Sequence, residues 1–193
     1  MCIAFVICDV FLVAVIRDLI SLIEAIYNTT LNKYFFESFN KEAFEESIGT
    51  VDFVKDNESK SSRGVLRGLH FQKPPYAQAK LVRCIEGRVI DVVVDIRKGS
   101  PTYGKHVSVE LSGENKRQLF IPRGFAHGFS VLSDTAIFAY KVDNRYAPES
   151  DSGIKYDDKE LNINWGLTED EVQLSPKDKK LTSFKDLDSP FKF

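Results

Sequence analysis

The sequence predicts a mainly β protein, an antiparallel jelly roll or barrel with a few short helices. From about Val51 onward, short segments of alternating apolar and polar residues recur at close intervals, separated by Gly, Pro, Asn and Ser clusters. These strands follow one another without a long helix between them, which favours antiparallel pairing over parallel crossovers. With 193 residues, 43% hydrophobic and 12% aromatic, the chain can bury one sizeable core, so residues 1–193 are expected to form a single domain.

The chain opens on an apolar run, Ile3 to Ile16, broken only by Asp9. No Lys or Arg precedes it, no small-residue cleavage site follows it, and it is shorter than the ~20 residues of a membrane-spanning helix. It therefore reads as a buried first strand over Ile7 to Val13 rather than a signal peptide or anchor. Ile16, Leu19, Ile20, Ile23 and Tyr27 then recur at helical spacing, which predicts an amphipathic helix after the strand. Further on, Asn40 is placed to cap a short surface helix whose Phe44 and Ile48 share a face, with Gly49 at its end.

Within Arg88 to Ile96, the apolar residues Ile90, Val92, Val94 and Ile96 alternate with Asp91, Val93 and Asp95, as in a strand lining a barrel or sandwich. Similar alternation marks His106 to Leu111, Ala126 to Leu132 and Ala136 to Val142. Turn signals stand at Gly99-Ser100-Pro101, Ser112-Gly113-Glu114-Asn115 and Ser133-Asp134. After Tyr146 the chain becomes polar, and its Lys177-Asp178-Lys179-Lys180 run reads on its own as a solvated face.

Charge and cysteine content narrow the function. A net charge of -2, from 26 basic and 28 acidic residues, lacks the basic excess that binds phosphate backbones, so nucleic acid is not an expected partner. Cys2, Cys8 and Cys84 are odd in number and scattered, which fits neither a disulfide framework nor a metal knuckle and implies a reducing, cytoplasmic setting.

The three histidines are His70, His106 and His127, so the list of possible bases is short. A barrel metal site wants two histidines alternating on one strand face, and the position two after His70 is Gln72; no metal is expected. Acid–base chemistry without metal needs a base, an acid on the other side of the substrate and a cation for the developing negative charge. His70, with an ordinary pKa of about 6.5, suits the base. Tyr140 shares a strand face with Phe138 and is placed to aim its hydroxyl into a dry interior; Lys80 shares a face with Val82 and Cys84. Each has a bland reading beside this one, because strand histidines and tyrosines more often pack than react, and a lysine at a strand end can snorkel.

The segments Arg67-Gly68-Leu69-His70-Phe71-Gln72 and Pro122-Arg123-Gly124-Phe125-Ala126-His127-Gly128-Phe129 resemble those of the dTDP-4-dehydrorhamnose 3,5-epimerases, which have the cupin fold. The resemblance continues through Val54 to Asn57, Lys80 to Cys84, Asp91 to Asp95, Gly99 to Thr102, Phe138 to Lys141 and Leu174 to Asp178, and spans about Tyr34 to Asp178. It implies a double-stranded β-helix acting on a dTDP-linked 4-keto sugar, with no cofactor. The expected reaction inverts carbons 3 and 5 of dTDP-4-dehydro-6-deoxy-D-glucose to give dTDP-4-dehydro-L-rhamnose, a step in dTDP-L-rhamnose biosynthesis. By the same resemblance His70 is the base, Asp178 its orienting partner, Tyr140 the acid on the opposite face, and Lys80 a holder of the enolate oxygen. Implied substrate contacts are Glu37, Lys55, Asn57, Arg67, His127, Asp151 and Lys177, with Tyr146 stacking on thymine. A homodimer is implied as well.

Some positions depart from the family pattern. Lys55 and Asp151 stand where Gln and Glu are usual, and Asn32, in Thr30-Leu31-Asn32-Lys33, stands where a diphosphate-binding Arg is usual. The helix-like Val15 to Tyr27 is an insertion or replacement, which makes residues 1–33 an atypical N-terminal segment. Arg67 and His70 are three apart and would face opposite ways on a regular strand, so a bulge at Gly68 is expected. Alternative readings are an epimerase of one carbon, a ketoisomerase of related fold, and a non-catalytic nucleotide-sugar-binding homologue.

Overall fold

The protein is described by a computed structural model, which covers residues 36–193 together with the backbone of residues 2–6 and 13–17. The strands are β1 (Cys2–Val6), β2 (Val13–Arg17), β3 (Lys55–Ser62), β4 (Val65–Gln72), β5 (Lys80–Glu86), β6 (Arg88–Asp95), β7 (His106–Ser112), β8 (Gln118–Ile121), β9 (Phe125–Val131), β10 (Thr135–Val142), β11 (Asp151–Gly153) and β12 (Gln173–Leu174). They form two sheets, in the orders β1-β2-β8-β5-β10-β3 and β11-β4-β9-β6-β7, with β12 beside β4. Every pairing along these two orders is antiparallel; β12 alone runs parallel to β4.

Between the sheets lies an apolar core. Val82, Cys84, Leu119, Ile121 and Phe138 project from the first sheet, and Val89, Val93, Leu111, Phe129 and Val131 from the second. The expected mainly β jelly roll is therefore the observed architecture, and alternation along β5 and β10 puts Lys80 and Tyr140 on the same inward faces as Val82 and Phe138.

Both outer faces are covered too, which explains strands that read as nearly continuous apolar runs. Leu66, Leu69, Phe71, Val92, Val94 and Ile96 pack outward against Ile154, Leu161 and Trp165 of the C-terminal segment. In β6 it is thus the mixed face, carrying Asp91 and Val93, that looks into the barrel. On the first sheet's outer face lies helix α1 (Lys41–Ile48), capped by Asn40, whose side-chain oxygen accepts from the Ala43 N–H at 3.0 Å. Phe44 on its underside is 2% exposed and meets Phe53 and Phe120 edge-on.

The N-terminal expectation needs correction where it can be compared. Val15 to Arg17 belong to a strand, not to a helix, and Val15 pairs with Leu119 of β8. The β-branched Val13, Val15 and Ile16 suit an extended chain, and the open edge of β8 supplies hydrogen-bond partners that helical periodicity ignores. Residues 7–12 of the expected first strand, residues 18–27 of the expected helix, and Asn32 lie outside the described residues. No helix among the described residues is long and apolar enough to cross a membrane.

Candidate active site

A cavity of about 390 Å³ opens between the sheets. His70 reaches it from β4 because that strand carries the expected bulge. Arg67 pairs with Phe129 and His70 with His127, so two residues of β4 stand opposite the single Gly128 of β9. The extra residue keeps both Arg67 and His70 on the inner side while Leu66, Leu69 and Phe71 turn outward. Only glycine fits at the bulge: φ is +120°, and a Cβ on Gly68 would lie 2.6 Å from the Gly128 Cα.

Nε2 of His70 lies 2.6 Å from Oδ1 of Asp178, leaving the other ring nitrogen, Nδ1, without a hydrogen-bond partner among the described residues. Asp178 is 5% exposed at the start of a short 3₁₀ turn, Asp178–Lys180. Its flanking lysines are solvated, but the carboxylate itself points inward. Besides His70 it accepts from the Gly68 N–H at 3.0 Å and from the Ser175 hydroxyl at 2.5 Å. Burial works against ionisation, yet the bonds from His70, Ser175 and Gly68 outweigh it and bring the carboxyl down to about 2.

A carboxylate held below its unfolded value of about 3.9 stabilises the fold above that pH and loses the contribution as pH falls towards the folded value. Asp178→Asn is accordingly expected to cost about 2 kcal/mol at pH 7. In chemical denaturation the difference from wild type should close as pH drops from about 4 towards 2. A difference that stays constant over that range would show that the charge of Asp178 contributes nothing.

From the facing sheet come Tyr140 and Lys80, on the neighbouring strands β10 and β5, with Tyr140 opposite Val82. Burial pushes the Tyr140 phenol above its ordinary pKa, against the opposing pull of Arg67, so the hydroxyl keeps its proton at neutral pH. Burial lowers Lys80 to about 8, although Asp91 and Asp151 pull the other way. The buried His127 meets Oδ2 of Asp91 through Nε2 at 2.8 Å.

More exposed residues form the cavity's solvent side. Arg67 reaches the Ser61 hydroxyl at 3.5 Å, and Asn57 pairs with Tyr140 across β3 and β10. Asp151 accepts from the Tyr146 hydroxyl at 2.9 Å and forms an ion pair with Lys177. The Tyr146 ring is 53% exposed. Ten of the twelve residues singled out in the sequence thus line one cavity; Glu37 and Lys55 do not. Glu37 instead accepts from the Asn40 side chain at 3.0 Å beside the helix cap, and the exposed Lys55 stands one pleat repeat, about 7 Å, along β3 from Asn57.

Sequence reasoning passed over Ser175, Asp91 and the stacked rings of Phe129 and Phe138, whose centroids are 4.3 Å apart. The Ser-x-x-Asp spacing before Asp178 was a usable local signal for Ser175.

A family model described as dTDP-4-dehydrorhamnose 3,5-epimerase matches residues 20–186. The chain belongs to the dTDP-4-dehydrorhamnose 3,5-epimerase family. It is an isomerase of the 3,5-epimerase type. The dTDP-4-dehydrorhamnose 3,5-epimerase of Shigella flexneri is 58% identical over 156 residues, 80% of this chain and 85% of the relative. Among solved structures, RmlC of Legionella pneumophila in complex with dTDP-4-keto-L-rhamnose is 46% identical with a TM-score of 0.88, covering 99% of this chain and 97% of that one. A 3'-monoepimerase of Streptomyces bikiniensis in complex with dTDP-quinovose is more distant, at 33% identity and a TM-score of 0.71, with 76% and 74% covered. The cupin-like fold expected from the motifs is the fold of these relatives.

Proposed function

We propose that this chain inverts carbons 3 and 5 of dTDP-4-dehydro-6-deoxy-D-glucose, with His70 as base and Tyr140 as acid. The observation that carries the reading is the placement of these two groups on facing sheets, His70 on β4 and Tyr140 on β10, across one cavity. Inversion requires that a proton leave one face of a carbon and arrive on the other.

The ketone at carbon 4 acidifies the protons of both adjacent carbons. The His70 nitrogen not held by Asp178 takes the proton, and the C–H electrons move to the carbonyl oxygen to form an enolate. Asp178 stabilises the imidazolium that results, as a buried carboxylate does for a general base. The Lys80 ammonium from the first sheet and His127 from the second line the same cavity and stabilise the enolate oxygen. Tyr140 then delivers its proton from the other sheet. Arg67 and Lys177 supply cations for the diphosphate, the exposed Tyr146 ring a stacking surface for the base, and Asn57 and Asp151 polar contacts. For Glu37 and Lys55 a substrate contact rests on the resemblance alone.

A homodimer belongs to the same reading. Its support is the resemblance and the position of β1 at a sheet edge among the described residues, where backbone groups can accept a second chain. The test is incubation with dTDP-4-dehydro-6-deoxyglucose in heavy water, followed by proton NMR, on a sample whose mass is read by light scattering. Deuterium at both carbons in a protein with the mass of two chains is expected. Exchange at one carbon would make this chain a monoepimerase, absence of exchange would refute the catalytic reading, and a monomer would refute the dimer.

A further inference from the structure

Gln72 enters the sequence reading only as the residue that breaks a metal-binding alternation, and the steps above give it no part. In the structure it is 5% exposed and, two residues beyond His70 on β4, lines the same cavity. Its carboxamide is engaged at both ends with main chain. Nε2 donates to the Tyr76 carbonyl at 2.7 Å and to the Arg145 carbonyl at 3.0 Å, and Oε1 accepts from the Ala147 N–H at 2.7 Å. Two carbonyls at one end and an N–H at the other fix which way the amide points. Residues 145 and 147 are the immediate chain neighbours of Tyr146, whose ring stands 53% exposed on the cavity's solvent side. The tip of that ring is held separately, by the bond from its hydroxyl to Asp151, the residue opposite Gln72 in the pairing of β11 with β4.

We propose that Gln72 is a positioning residue for the nucleotide: by pinning the main chain on both sides of Tyr146, its carboxamide sets the ring on which the base stacks. The proposal rests on the nucleotide-sugar reading of the same cavity. Residues 143–147 join β10 to the 3₁₀ turn Pro148–Ser150 and belong to no strand, so side-chain ties to the segment after β4 decide where they lie. Gln78 donates to the Asn144 carbonyl at 2.7 Å and Asn144 to the Pro75 carbonyl at 3.1 Å, but among the described residues it is Gln72 that brackets Tyr146 itself. A ring already held where the base will lie binds it without a further loss of conformational freedom, whereas a loose one must be ordered first and binds more weakly. Strand β4 thereby serves both ends of the substrate, the sugar through His70 and the base through Gln72.

The test measures binding of dTDP and of inorganic diphosphate, by titration calorimetry, to wild type, Gln72→Met, Tyr146→Ala and the double variant. Methionine keeps the length of the side chain but cannot bond to the three main-chain groups. Tyr146→Ala is expected to weaken dTDP by about tenfold, the usual effect of removing one stacking ring, and Gln72→Met by at least about threefold. Diphosphate affinity should stay unchanged in both, because the cations that would hold it are untouched. Once Tyr146 is Ala, Gln72→Met is expected to cause no further loss, since no ring remains to be placed. Equal losses for dTDP and diphosphate would make Gln72 a merely structural residue and overturn the proposal. It is overturned equally by additive losses in the double variant, or by a Gln72→Met protein that keeps its dTDP affinity while Tyr146→Ala loses it. If Tyr146→Ala binds dTDP as wild type does, the stacking reading fails and takes the proposal with it. Binding needs no turnover, so the expected pattern in a protein that exchanges no deuterium supports the role of Gln72 while refuting the epimerase reading. Should Gln72→Met fail to fold, Gln72→Glu keeps the shape and the bond from Ala147 but turns an oxygen towards the two carbonyls. The same selective loss of dTDP is expected there, and an unchanged affinity overturns the proposal.

Discussion

Replacing His70 with Ala is expected to lower deuterium incorporation at carbons 3 and 5 by about 10²- to 10⁴-fold, the usual contribution of a positioned general base. Both cavity histidines meet an Asp through Nε2, but the carboxyl behind His70 is held down at about 2 whereas burial pushes the one behind His127 upward. Burial also lowers the pKa of His127, which makes it a poor substitute. His106 does not line the cavity. The small size of the change helps to isolate the chemistry, since β4 keeps its bulge, its outer residues and its pairing with β9. Matching far-UV circular dichroism between variant and wild type would tie the loss to the base itself. Exchange at the wild-type rate would move the base to another residue.

Tyr140→Phe is expected to separate two events that run together in the wild type. Loss of the hydroxyl removes the proton donor on the first sheet but keeps a ring beside Phe138, so the fold is retained. His70 still forms the enolate and can return a deuteron to the face it came from. Formation of inverted product should therefore fall by about 10²-fold or more, while exchange with retained configuration falls less. Proton couplings in the same NMR spectra distinguish the two products. Equal losses of exchange and inversion, or inversion at the wild-type rate, would remove Tyr140 from the role of acid.

Much of this site was legible in local pattern. Period-two alternation was enough to put Lys80 with Val82 and Tyr140 with Phe138 on inward faces, and the three-residue spacing of Arg67 and His70 called for the bulge that β4 carries. Asp178 was not legible in that way. It stands in a run of lysines, and its partner His70 is 108 residues away in the chain, a contact that only the closed fold creates. The resemblance, not the residue pattern, drew it out of the solvated tail. Asp91 stood in plain view as a charge within an apolar strand, but alternation does not say which face of a doubly covered strand looks inward. At Val15 to Arg17 the expected helix gave way to a strand for a related reason, since an edge strand awaiting a partner competes with local periodicity.

The bulge in β4 has a further consequence for what kinds of change the site can tolerate. Without Gly68, the strand would still alternate correctly, with Arg67 and His70 inward and Leu69 outward, and its ladder to β9 would close without a gap. What would vanish is a main-chain N–H released from the ladder and aimed at Asp178. This ligand to the carboxylate belongs to no side chain, so point substitutions other than to proline crowd it without deleting it. Among heritable changes, loss of one residue from the bulge removes this ligand while leaving every catalytic side chain in place.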